Sequence, residues 1–79
     1  MFAIIGVQPK QFTTNDGVVV NGWHVWYTES RRGVDGLAAD RVFISDRVSN
    51  DSNFIPHVGD IVKAFCYNKY GKLSCIIVE

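Results

Sequence analysis

An Asn15-Asp16-Gly17 step sits between two runs of strand-forming residues and sets the fold class of this chain more firmly than any other feature. Asn-Gly-like and Asp-Gly steps supply the positive φ that tight hairpin turns need, so the segment reads as the tip of a β-hairpin. The run from Val18 to Thr28 carries Trp23, Trp26 and Tyr27, which makes the returning arm long and rich in flat rings. No segment holds an apolar 3.6-residue period for three turns, so no helix is expected. Five strands are predicted instead: about Phe2–Val7, Val18–Glu29, Leu37–Ser45, Asp60–Tyr67 and Lys72–Val78, with Gln8–Thr14 leading into the second. Arg31–Gly36 reads as a loop, Asp46–Pro56 as the longest irregular stretch, and Asn68–Gly71 as the tip of a final hairpin.

Seventy-nine residues make one domain, and a small one. A chain of this size buries only about 60–65% of its unfolded surface, so pairing with a copy of itself adds stability it would otherwise lack. The 47% hydrophobic content is ample for a core. No apolar run reaches the roughly 18 residues of a membrane span, and Met1–Ile5 reads as a first strand rather than a signal peptide, so a cytoplasmic protein is expected. An all-β, five-stranded OB-like small barrel with a protruding hairpin wing is the predicted architecture, because closure removes vulnerable edges. An SH3-like barrel is the alternative.

Alternation along the long strand puts Val19, Asn21, Trp23, Val25 and Tyr27 on one side and Val20, His24 and Trp26 on the other. A core this small does not swallow both tryptophans and Tyr27, so one face of the arm is expected to be in use. Base stacking on exposed rings is worth roughly 1–3 kcal/mol per base and tolerates any sequence, so rings beside cations suit single-stranded nucleic acid. Trp23 and Tyr27, with Arg31 and Arg32 just past them, form one such group; Lys69, Tyr70 and Lys72, beside Tyr67, form a second. The competing reading is that these rings pack a core or a dimer interface, and Trp26 fits that reading better than the others. Tyr70, at a hairpin tip beside Gly71, is the hardest ring to bury within one subunit.

Eight basic and eight acidic residues cancel to zero net charge, whereas proteins that bind polyanions nonspecifically usually carry a positive excess. Asp35, Asp40, Asp46, Asp51 and Asp60 fall mostly in predicted turns and strand ends, which leaves room for a locally positive surface. Cys66 and Cys75 face each other if the last hairpin turns at Tyr70-Gly71. A disulfide is then geometrically conceivable, while a reducing cytosol favours two free thiols. The cysteines lack metal-ligand spacing, and His24 and His57 are far from them in sequence, so no metal is expected. With no nucleophile elbow, phosphate loop or paired carboxylates, neither an enzyme nor a small-molecule substrate or cofactor is expected.

The order Pro9, Gln11-Phe12-Thr13-Thr14, Gly17-Val18 and Gly22 resembles the DNA-binding wing of the filamentous-phage single-stranded DNA-binding (helix-destabilising) proteins. Glu29 and Val34-Asp35 fall at compatible spacing, and Tyr70-Gly71-Lys72-Leu73 resembles that family's aromatic-Gly-x-Leu hairpin tip. The resemblance implies an OB-like fold, a homodimer joined partly through the last hairpin, and cooperative coating of single-stranded viral DNA in the host cytoplasm. It assigns Tyr70 to base stacking and sets Val25 and Tyr27 where the wing strand offers an apolar and an aromatic contact. The chain departs from the family where wing arginines are replaced by Asn15 and Val20 and a C-terminal arginine by Ile77. Arg31, Arg32, Arg41, Lys69 and Lys72 are then the cations left to meet phosphates.

Overall fold

The computed structural model describes residues 1–78. Two long strands, β1 (Phe2–Thr13) and β2 (Val19–Glu29), form the hairpin that the Asn-Asp-Gly step predicts. Its turn closes with Gly17 N–H donating to the Thr14 carbonyl at 2.9 Å and Thr14 N–H to the Val18 carbonyl at 2.8 Å. Gly17 sits at φ 81°, a left-handed conformation that a side chain would strain. β3 (Ala38–Ser45), β4 (Ile61–Tyr67) and β5 (Leu73–Val78) complete one antiparallel sheet of order β3-β2-β1-β4-β5. The lead-in Gln8–Thr13 is itself extended, continuing the first strand and pairing with Val19–His24.

One correction is a short helix, α1 (Asp46–Ser52), inside the stretch expected to be irregular. Ser45 caps it, accepting from Val48 N–H at 3.2 Å, and Asn53 ends it in the left-handed region at φ 51°. Its buried residues are Val48 and Ser49, so two turns of mostly polar sequence carry no readable period. The helix lies between the two edges of the sheet. It packs on β5, β2 and β3, and Ser52 Oγ accepts from Ile76 N–H of β5 at 3.0 Å. That bond satisfies one donor of an edge strand which no neighbouring strand covers. No ladder joins β3 to β5 among the described residues, so the sheet is open and closure by strand pairing is not seen.

Register shifts in β1 between Ile4 and Gly6, and in β4 between Val62 and Ala64 and between Cys66 and Tyr67, bend the sheet. On its concave side Ile4, Val25, Ile44, Val48, Val62 and Ile76 form the core. The distal hairpin leaves this core behind: Gln8 to Thr13 are all exposed, and β3 stops pairing with β2 at Gly22. The molecule is accordingly elongated, 43 × 24 × 19 Å.

Candidate nucleic-acid interface

Alternation along β2 holds, but the face that turns inward is the one expected to be in use. Val25 is fully buried and Tyr27 is 7% exposed. Tyr27 packs against Phe2 and Phe65, with ring centroids 5.2 and 5.1 Å away, and these two rings also touch each other at 5.0 Å. Burial pushes the Tyr27 phenol above its ordinary value, with smaller contributions from Tyr67, Asp40 and Glu29 nearby. Tyr27 is thus a core ring and no platform for a base. Trp23 is half-buried against the same core, across from Ile44. One side of it lines a shallow pocket with Lys10, Gln11, Asn21 and Asp46.

The convex side of β1–β2–β3 carries the rings that sequence reasoning passed over. Trp26 lies over Gly6, where a Cβ would meet the indole at 3.4 Å. From there a line of rings runs along the sheet: Trp26 to His24 at 6.2 Å, His24 to Phe43 at 5.5 Å, and Phe43 to Phe12 at 5.4 Å. The ladder places Arg41 beside Trp26 and Lys10 beside Gly22 on this side. Desolvation by burial holds His24 below its ordinary value, with the charges of Arg41 and Lys10 adding to it. His24 Nδ1 is buried with no hydrogen-bond partner in the protein. The clue in the sequence was Phe12, Trp26 and Phe43 recurring beside Lys10 and Arg41, yet alternation alone does not say which face of a strand turns inward.

A groove continues this surface across the open edge of β3, lined by Phe12, Arg41, Phe43, Tyr67 and Lys72 among others. It brings the β4–β5 hairpin to the aromatic line. Asn68 holds the tip of that hairpin, its Oδ1 accepting from the N–H groups of Tyr70 and Lys72 at 2.9 and 3.0 Å. Tyr70 is 75% exposed, and the Lys69 ammonium sits 5.1 Å from its ring centre. Lys69, Tyr70 and Lys72 therefore stand together as expected. Arg31 and Arg32 lie outside this groove, in the β2–β3 loop, and the Arg31 guanidinium is engaged by the Glu29 carboxylate through Nε at 2.9 Å and through its terminal nitrogen. Among the described residues the ion pairs are Arg31–Glu29 and His57–Asp60, so Lys10, Arg41, Lys69 and Lys72 have no acidic partner.

Rings spaced along a sheet face beside unpaired cations offer stacking surfaces and phosphate contacts, and nothing in the arrangement offers a nucleophile with its base. The described residues hold no cluster of His, Cys, Asp and Glu fit to bind a metal ion. Among the described residues no helix is long and apolar enough to cross a membrane. In comparisons with known proteins, no family model, no curated protein and no solved structure matches this chain.

Proposed function

We propose that this chain binds single-stranded DNA without sequence preference, as an OB-like protein of the filamentous-phage helix-destabilising kind, acting as a homodimer in the host cytoplasm. The observation that carries this reading is the aromatic line Trp26–His24–Phe43–Phe12, continued by a groove to Lys72 and the Tyr70 tip, with Lys10 and Arg41 alongside. The strand order and the helix between β3 and β4 support the OB-like assignment, in which ligands lie on the strand 2–3 face and on the loops joining strands 1–2 and 4–5. Here those loops are the wing tip and the Tyr70 hairpin. Stacking supplies most of the affinity, because four cations are few for a polyanion.

Titration with oligo-dT tests the reading. Trp26 fluorescence is quenched as bases stack, and duplex of equal length binds much more weakly. Binding to duplex as tight as to oligo-dT overturns it. The rival, favoured by the zero net charge, is an SH3-like interaction module whose exposed rings dock a peptide. It predicts no quenching by any oligonucleotide.

A further inference from the structure

Cys66 and Cys75 are directly opposed across the β4–β5 ladder, and both thiols are free and half-buried. Opposed residues of an antiparallel pair have Cα atoms about 4.5–5.5 Å apart. That lies inside the roughly 4.4–6.8 Å that a disulfide spans. The adjacent pair, Phe65 and Ile76, turns into the core, so by alternation the two sulfurs point to the convex side. Both cysteines are partly exposed, which gives a small reagent access to them.

We propose that Cys66 and Cys75 are a dithiol modification site, which closes to an intramolecular disulfide by exchange with a low-molecular-weight disulfide. The neighbouring Cys75 and burial raise the Cys66 pKa, and either cysteine can open the exchange, Cys75 for instance. Its thiolate attacks one sulfur of the reagent, the reagent's S–S bond breaks, and one thiolate leaves and takes up a proton. The Cys66 thiolate then attacks the Cys75 sulfur of the mixed disulfide and expels the second thiol. Two protein thiols lose two hydrogens and two electrons between them, and the small disulfide gains both as two thiols.

The new bond ties β4 to β5 where the register shifts between Cys66 and Tyr67, at the base of the tip that presents Lys69, Tyr70 and Lys72. It cross-links a short loop, which restricts the unfolded chain and holds the tip's two stems together. This chemistry is independent of nucleic-acid binding, so the two readings fail separately.

The test equilibrates the full chain with mixtures of oxidised and reduced glutathione, followed by alkylation and mass spectrometry. The expected product has lost two hydrogens, resists alkylation at both cysteines, runs as an unlinked chain on a non-reducing gel and melts at a higher temperature. Cys66→Ser stops at a mixed disulfide with glutathione on Cys75, and Cys75→Ser stops at one on Cys66. Wild-type protein that stops at the mixed adduct, links between chains or stays reduced in oxidised glutathione overturns the proposal. An intramolecular product with an unchanged melting temperature overturns the bracing of the tip.

Discussion

Two tyrosines in this chain respond to truncation in opposite ways, because one is held among rings and the other is held by none. Tyr27→Ala leaves a void between Phe2 and Phe65 and is expected to destabilise the fold by about 3–5 kcal/mol in a denaturant titration. Tyr70→Ala, at a tip that is 75% exposed, leaves the melting curve in place. It weakens oligo-dT binding by about 1–3 kcal/mol, roughly fivefold to 150-fold. Equal stability losses in both variants would contradict the division between core and platform. His24 gives a second test on the same scale. Desolvation by burial lowers its pKa in the folded state from the ordinary 6.5, and Arg41 and Lys10 across the sheet add to it. The unfolded chain therefore takes up a proton first as the pH falls, and the stability His24 confers is complete above pH 6.5 and lost below it. His24→Gln flattens that part of the stability–pH curve. The alternation of β2 was readable from its residues alone. Which side turned inward depended on Ile4, Ile44, Val62 and the other core partners, which are distant in sequence, and so Tyr27 is buried and Trp23 half-buried while Trp26 and Phe43 lie on the outer face.

At the level of elements, the strands were legible because β-branched and aromatic runs separated by Gly, Asn and Asp are local signals. Helix α1 was not, since its existence rests on Val48 meeting the core and on Ser52 reaching Ile76, both long-range events. The pairing of β2 with β3 shows the same dependence at Gly22. A Cβ there would stand 2.3 Å from the Ile44 carbonyl oxygen and 2.8 Å from the Ser45 Cα. Neither backbone atom yields without breaking the ladder, so Gly22→Ala shifts β3 away from β2 and displaces Phe43, whose ring tip would lie 2.7 Å from the new methyl. Gly22→Ala is expected to lower both stability and oligo-dT affinity, while Gly17→Asn, at a left-handed turn position with nothing within 4 Å, leaves affinity unchanged. A Gly22→Ala protein with wild-type melting and binding would mean that this approach is looser than the ladder indicates. The same elements set the salt dependence. Lys10, Arg41, Lys69 and Lys72 contribute about −0.7 each to the log–log slope for single strands, giving a limit near −3. A markedly steeper slope would mean that Arg31 leaves Glu29 for a phosphate.

The whole molecule presents a second outer surface, on the β1–β4–β5 half of the sheet, where large apolar side chains are exposed. Ile61 opposes Ala3 and Ile77 opposes Ala64 on this side, while their chain neighbours Val62 and Ile76 are buried in the core. Ile5, at the bulge in β1, is 56% exposed, Ile61 is 48% exposed and Ile77 is 44% exposed. A chain of this size gains from covering such a surface, and a two-fold contact between copies of the same patch needs no other partner. The expected state is therefore a dimer joined over β1 and the Ile61 and Ile77 ends of β4 and β5, with the Cys66–Cys75 pair and the aromatic lines of both copies left outside the contact. Ile61→Lys with Ile77→Lys places like charges opposite one another in that contact. Sedimentation should show the double variant as a monomer that keeps its strand signal in circular dichroism. Joining two binding surfaces makes the second contact with one strand intramolecular, so the dimer holds long oligo-dT far more tightly than short. The variant loses that length dependence while binding short oligo-dT as the wild type does. A wild type that sediments as a monomer at every concentration, or a variant that stays dimeric, would place the contact elsewhere, and the open β3 and β5 edges are then the surfaces left to supply it.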